Sequence, residues 1–449
     1  MTIAALSLKR LVFSFGASMV LMSPQASIAQ NFNNIAFHPV PLTDASQVTE
    51  QGLLQVTYNR VAGEPFHTSS AEQFQAAIRQ VENTSGPFSP AAAQQAESLG
   101  DFLASNGDPE GAVEAFEKSL HIHRVNEGLH SPAQAKLLKK IIAGEIDAGN
   151  LNAAHGLQES LLYLSKKNHE VGDEDYVSAI LEWADWNVDL LVMANNAPVN
   201  TAPGGDFASL NTQLITAQDN HIEAIELIRS QPASSPEYKK LLIHAEKKMA
   251  AINYIANSGS GLSAYSPDSD TFPAGSNRDS QAEMAYFFNG SNALKRAIAY
   301  SLEDPQPDYL SIAEQMMVLG DWHLLFDRRA AALTIYEDTF ELLDVIQASG
   351  DDINRIMTPG MPVTAPDSSF TANSSTTDYH GYIDVEFRIS KFGIPSKPEV
   401  IASSEQDNSP VTRALIRKIR QEKFRPAFID GSATSGENVK LRYYYSYND

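Results

Sequence analysis

The feature that most narrows the fold is an internal period of 42 residues. Gly86-Pro87-Phe88-Ser89-Pro90 returns as Gly128-Leu129-His130-Ser131-Pro132, and Gly107-Asp108-Pro109-Glu110-Gly111-Ala112 returns as Gly149-Asn150-Leu151-Asn152-Ala153-Ala154. Several landmarks moving together by one offset point to stacked supersecondary units, each of which leaves an apolar face that its neighbour must cover. Each unit reads as helix, tight Gly-Asp/Asn turn, helix and longer connection. Ser89 or Ser131 is placed to cap the first helix, with Pro90 or Pro132 in its first turn, where a missing N–H costs nothing. Ala96, Leu99, Phe102 and Leu103 make the apolar stripe of that helix, and Ala112, Val113, Phe116 and Leu120 that of its partner. Small Ala112 and Ala154 allow close approach, while Phe116 and Leu157 fill the space beyond.

Helical periodicity continues on both sides. Residues 71–81 read as the second helix of a degenerate first unit, and 176–193 open a third, carrying Trp183 and Trp186. An Ala/Pro/Gly-rich insertion at 194–206 loosens the period. Helices are then expected at 207–229, 236–257, 279–303, 308–320 and 326–347, with a possible break at the Gly/Ser/Pro-rich stretch 257–278. Leu319-Gly320-Asp321-Trp322 echoes Leu99-Gly100-Asp101-Phe102, which marks the last hairpin of one helical body spanning 71–350.

These residues, most clearly over 86–193, resemble tetratricopeptide repeats of the longer 42-residue kind. The resemblance implies a right-handed α-α superhelix whose concave wall receives a peptide, a protein surface or a terminal segment. The matching residues are packing residues, so no groove contact is assigned.

Pro359-Gly360-Met361-Pro362 breaks the helical pattern, and 351–378 reads as a linker. Beyond it the periodicity changes to two. Ile383, Val385, Phe387 and Ile389 alternate with Tyr382, Asp384, Glu386 and Arg388; strands are expected there, at 399–403 and at 437–447, with a helix at 410–421 and a short extended piece near 424–427. This order gives an antiparallel sheet covered by one helix. Together with Gly381, Phe392-Gly393, Val400, Ile416-Arg417 and Phe424-Arg425-Pro426-Ala427, it resembles the C-terminal domain of TonB proteins over 379–447. The resemblance implies contact with an envelope partner by strand addition at a sheet edge. Two features depart from that family: the transducer's permanent membrane anchor and its long proline-rich spacer have no counterpart here. Tyr443, Tyr445 and Tyr447 share one face of the last strand and Tyr444 the other, read as sheet packing or as an adhesive platform. Arg417, Lys418, Arg420, Lys423 and Arg425 form a basic patch, read as solvated or as facing an acidic partner such as the repeat body itself.

The first 29 residues have the pattern of a cleavable export signal: Lys9 and Arg10, an apolar run from Leu11 to Met22, Pro24, and small Ser27 and Ala29 before Gln30. The run is short of the roughly 20 residues of a membrane-spanning helix. Residues 30–70 are expected to form a partly ordered extension. The chain has no cysteine, which suits an oxidising compartment and leaves stability to packing. The acidic surplus behind the net charge of −22 lies wholly before Tyr379, since 379–449 carries 11 Lys/Arg against 9 Asp/Glu, and an acidic body repels phosphate backbones, so nucleic acid is not an expected partner.

No phosphate-binding loop, nucleophile elbow or His-Glu-x-x-His motif occurs. His121 and His123 project to different sides of one helix, and His130 and His169 sit in connections without metal-ligand spacing. No catalytic, cofactor-binding or metal-ligating residues are therefore assigned, and an enzyme is not expected. The sequence points to a periplasmic interaction or scaffold protein, soluble after cleavage, whose repeats and C-terminal domain each engage an envelope protein; the alternative is an accessory of TonB-like outer-membrane transport. Oligomeric state is left open.

Overall fold

The computed structural model describes residues 35–41, 68–196, 210–231, 235–258, 277–364, 379–404, 409–429, 431–435 and 438–447. The leader, most of the 30–70 extension, most of the insertion after α6 and the core of the expected linker lie outside them. The described chain is mainly helical, with a small sheet built largely from its C-terminus. The helices are α1 (Thr68–Ser85), α2 (Pro90–Ser105), α3 (Pro109–Glu127), α4 (Gln134–Asp147), α5 (Leu151–Asn168), α6 (Glu174–Asn196), α7 (Leu210–Ser230), α8 (Pro236–Ser258), α9 (Asn277–Leu302), α10 (Tyr309–Leu325), α11 (Arg329–Val345) and α12 (Gly350–Met357). Each packs on the next, from α1 to α12.

The turn glycines explain why the period is legible. Gly107 and Gly149 hold φ of +77° and +79°, and Gly86 and Gly128 both hold +91°, a region closed to most side chains. Ser89 Oγ accepts from the Ala92 N–H at 3.3 Å, so the expected cap forms in the first unit, and Asp108 Oδ1, accepting from the Gly111 N–H at 3.0 Å, caps the partner helix as well. In the second unit neither cap forms. Ser131 donates to Glu127 at 2.8 Å, and α4 begins only at Gln134, whose buried amide turns inward to Gly128 O at 2.7 Å. Ala92, Ala96, Ala112 and Ala154 are wholly buried, as the close helix approach requires. The helices that flank the possible break at 257–278 pack on each other: α9 lies along α8, and Ala250, Phe287 and Leu294 belong to one core cluster, while 259–276 lie outside the described residues.

Two expected boundaries move. The helix expected to stop at residue 320 runs to Leu325, because Gly320 is not a terminator; a Cβ there would lie 2.4 Å from the Tyr336 ring. Gly100 meets Phe116 in the same way, also at 2.4 Å, which is the physical content of the Leu-Gly-Asp echo. The expected linker is partly structured as well: α12 occupies its start, capped by Ser349, and Met361 and Val363 pair with Arg425 and Lys423 through backbone hydrogen bonds.

The C-terminal domain contains β2 (Gly381–Ile389), β3 (Pro395–Ser403), α13 (Pro410–Gln421), a small hairpin of β4 (Ala427–Ile429) and β5 (Ser432–Thr434), and β6 (Asn438–Tyr447). Its main sheet has a further member that the sequence reading left in the extension, β1 (Ile35–Pro41), giving the order β1-β6-β2-β3, antiparallel throughout. Ile383, Val385, Phe387, Ile389, Tyr443 and Tyr445 face α13 through Val411, Leu415 and Ile419, so the tyrosines at 443 and 445 are packing residues.

Candidate interaction surface

Two structural arrangements stand out, and the 42-residue offset generates the first. Phe88 lies against His121 with ring centroids 5.8 Å apart at 62°; one unit later His130 lies against Tyr163 at 5.6 Å and 62°. Loop residue and helix residue have exchanged aromatic for imidazole while the geometry is kept. The loop is pinned identically in both units. Asn126 Nδ2 donates to Phe88 O at 2.7 Å and to Ile122 O at 2.8 Å; Asn168 Nδ2 donates to His130 O at 2.9 Å and to Leu164 O at 2.8 Å. Despite this fixation the side chains face water: Phe88 is 48%, Leu129 69%, Tyr163 50% and Val171 72% exposed, with Leu129 and Val171 at equivalent positions. A rigidly held exposed ring loses little freedom when a partner covers it.

Beside the second rung lies a cavity of about 360 Å³ lined by Arg124, Leu129, His130, Gln134, Leu138 and Tyr163, among others. Gln134 is the hinge of this site. Its amide donates to Gly128 O and its carbonyl accepts from Arg124 Nε at 3.1 Å, which fixes the guanidinium at the rim with its terminal nitrogens unpaired among the described residues. Lys167 stands over the outer face of Tyr163 at 5.5 Å. The surface is made by the ends of the second helices, α3 and α5, by the start of α4 and by the connections between units.

The second arrangement joins body to C-terminal domain. Asp321, buried on α10, receives Arg425 Nε at 2.9 Å and Nη2 at 2.5 Å, and Tyr336 donates to it at 2.7 Å. Lys423 pairs with Asp327, Phe428 stacks edge-on against Tyr336 at 5.9 Å, and Phe340 touches the Gly431 turn. Two members of the basic patch are thus turned into the acidic body, as the second of its two readings has it, while Arg417, Lys418 and Arg420 are exposed. The first-unit counterpart of Asp321 is Asp101, bound at 2.6 Å by Lys140 of the following unit. Arg425 therefore stands where the next repeat's cation would stand, and the C-terminal domain caps the open end of the stack. Repeat arrays need such an end, since the last hairpin otherwise leaves its apolar face wet.

Other polar clusters fasten helices together. Asp185 on α6 accepts from His221 at 3.1 Å and His244 at 2.6 Å, which hold its carboxyl below the usual carboxylate range against the opposing effect of burial. His221 is fully buried and its second nitrogen meets Ala217 O at 2.7 Å, so both nitrogens are committed to structure. Glu246, also fully buried, is clamped by Arg296 at 2.7 and 2.6 Å. Burial and the charges of Lys295 and Arg328 push His323 down to about 3.

Among solved structures, a kinesin light chain of Podosopora anserina with nearly identical TPR-like repeats aligns over 58% of this chain and 99% of its own length, at 13% identity and a TM-score of 0.36. BtubC (BKLC) from P. vanneervenii aligns over 63% of this chain and 91% of its own, at 13% identity and a TM-score of 0.37. No protein-family model and no curated protein matches the chain. At such distance the repeat architecture rests on this chain's own correspondences at the 42-residue offset.

The sequence reading placed His121, His123, His130 and His169 as ordinary repeat residues. His123 bonds Glu127 at 2.8 Å, and His169 lies 3.6 Å from Asp175. His121 and His130 instead form the two rungs. Extending the 42-residue comparison to Phe88/His130, His121/Tyr163 and Asn126/Asn168 would have found them, because all three pairs share the offset of the glycines.

Proposed function

We propose that this chain is a non-catalytic scaffold of the bacterial periplasm that binds a protein partner along the loop edge of its helical stack. The observation that carries the reading is the repeated pair of exposed rings, Phe88–His121 and His130–Tyr163, each fixed by an asparagine at the same place in its unit. A stack that needed only to be stable has no use for pinning exposed rings at regular intervals. Export is supported by the pattern of residues 1–29 and by the absence of cysteine.

A second engagement through strand addition, as the TonB-like resemblance implies, is disfavoured by the sheet. The last strand, β6, is internal, covered by β1. Pro39 stands opposite Tyr443 and Pro41 opposite Leu441; a proline can occupy only the pair type that makes no mutual hydrogen bonds, so the outer edge of β1 lacks donors there. At the other edge β3 carries Pro395, Pro398, Lys397 at φ +51° and two register irregularities. These are the devices by which proteins close sheet edges. The C-terminal domain is better read as the cap of the scaffold.

The test is photocrosslinking in intact cells with a photoreactive phenylalanine analogue at position 88, 129 or 163, and at the exposed Ile222 as control. Discrete adducts from the three edge positions alone, in the fraction released by opening the outer membrane, are expected. Retention in the cytoplasm, or equal labelling at 222, contradicts the proposal.

A further inference from the structure

Resting on the scaffold reading, we infer that the loop edge takes an extended segment of its partner, one that presents two apolar side chains about three residues apart with a carboxylate beside the second. The number of anchors follows from the ladder. Phe88 with His121 is one rung and the cavity walled by His130 and Tyr163 is the other; in the next unit Gly172 stands where His130 does, and the ladder ends. Their spacing follows from the stack. Lys140 on α4 pairs with both Glu97 and Asp101 on α2, so equivalent helices of successive units are neighbours and equivalent positions lie roughly 10 Å from each other. An extended chain rises about 3.3 Å per residue and crosses that distance in about three residues.

The second site is the more specific one. Its volume of about 360 Å³ admits a large apolar side chain together with its flanking backbone, resting on Leu138 and Leu164 between the two rings. The charge preference comes from Arg124. Gln134, itself buried, holds the Nε of this guanidinium, and no carboxylate among the described residues pairs with it, in a chain of net charge −22. An acidic side chain next to the anchor supplies the missing partner, and a guanidinium already fixed in place loses little on accepting it. Glu159 also borders the cavity, but it is exposed and untethered and can turn outward.

The experiment pans a display library of random 16-residue peptides against the full chain and measures affinity of the enriched peptides by fluorescence anisotropy. Peptides with two apolar residues about three or four apart and an acidic residue near one of them are expected. Phe88→Ser and Tyr163→Ser should each raise Kd at least ten-fold. Arg124→Glu should do the same and be rescued by exchanging the acidic residue of the peptide for lysine, a reversal that misfolding cannot produce. Ile222→Ser should leave Kd unchanged. Enriched peptides whose affinity survives both edge substitutions would overturn the assignment of the edge while leaving a peptide-binding scaffold intact. Failure to enrich any peptide would overturn both.

Discussion

Replacing Arg425 with alanine removes the only cation among the described residues that reaches Asp321 and leaves a buried carboxylate with one described donor, the Tyr336 hydroxyl. Side chains of both charges are largely withdrawn from water, so the loss is governed by the stranded charge and not by the modest net worth of an intact pair. About 3–5 kcal/mol of destabilisation is expected on that ground. The first-unit equivalent supplies an internal control. Lys140 binds Asp101, whose carboxylate is 55% exposed, so Lys140→Ala should cost no more than about 1 kcal/mol although it occupies the same place in the repeat. Urea denaturation followed by tryptophan fluorescence suits the comparison, since Trp322 is wholly buried beside Asp321 and bonded to Phe287 O at 3.1 Å. The double variant Asp321→Asn/Arg425→Leu should recover part of the loss, because it removes the charge as well as its partner. If Arg425→Ala costs less than Lys140→Ala, or if the two single effects simply add in the double variant, the C-terminal domain is not clamped to the stack as a cap.

Glycines inside helices should respond with opposite signs: Gly320→Ala forces a methyl into the Tyr336 ring and should destabilise by about 1–3 kcal/mol, whereas Gly156→Ala, with nothing within 4 Å, should stabilise by up to about 1 kcal/mol, both read from thermal unfolding. His323 is held at about 3 in the folded chain against 6.5 when unfolded, so the unfolded state takes up the proton first as pH falls. Its contribution is therefore complete above pH 6.5 and drains between 6.5 and 3, by up to about 1.4 kcal/mol per pH unit. Urea midpoints at pH 7 and pH 5 should separate less for His323→Gln than for the parent chain. Asn126→Ala and Asn168→Ala should each cost about 1 kcal/mol for the lost loop hydrogen bonds and weaken partner binding by mobilising Phe88 or His130. Deleting residues 30–41 uncovers one side of β6, and hydrogen exchange should then accelerate along Leu441–Tyr447 while α2–α5 stay protected.

What the sequence by itself determined is what short-range chemistry specifies. Gly86, Gly107, Gly128 and Gly149 need φ values few other residues tolerate, Pro90 and Pro109 fit first turns, and apolar stripes at helical spacing follow; these recur at 42 residues and mark the hairpins without any knowledge of their neighbours. The alternation at 382–389 marks β2 for the same reason. Tertiary structure alone decided where long-range partners meet. Nothing in Ile35–Pro41 announces that it pairs with Asn438–Tyr447, because backbone pairing carries almost no side-chain signature, and two prolines argue locally against a strand. Nor does the basic run around Arg425 reveal that one guanidinium faces Asp321, about a hundred residues earlier, while Arg420 remains in water. A charge has the same sequence signature buried or exposed; only the packed end of the helical stack distinguishes the two.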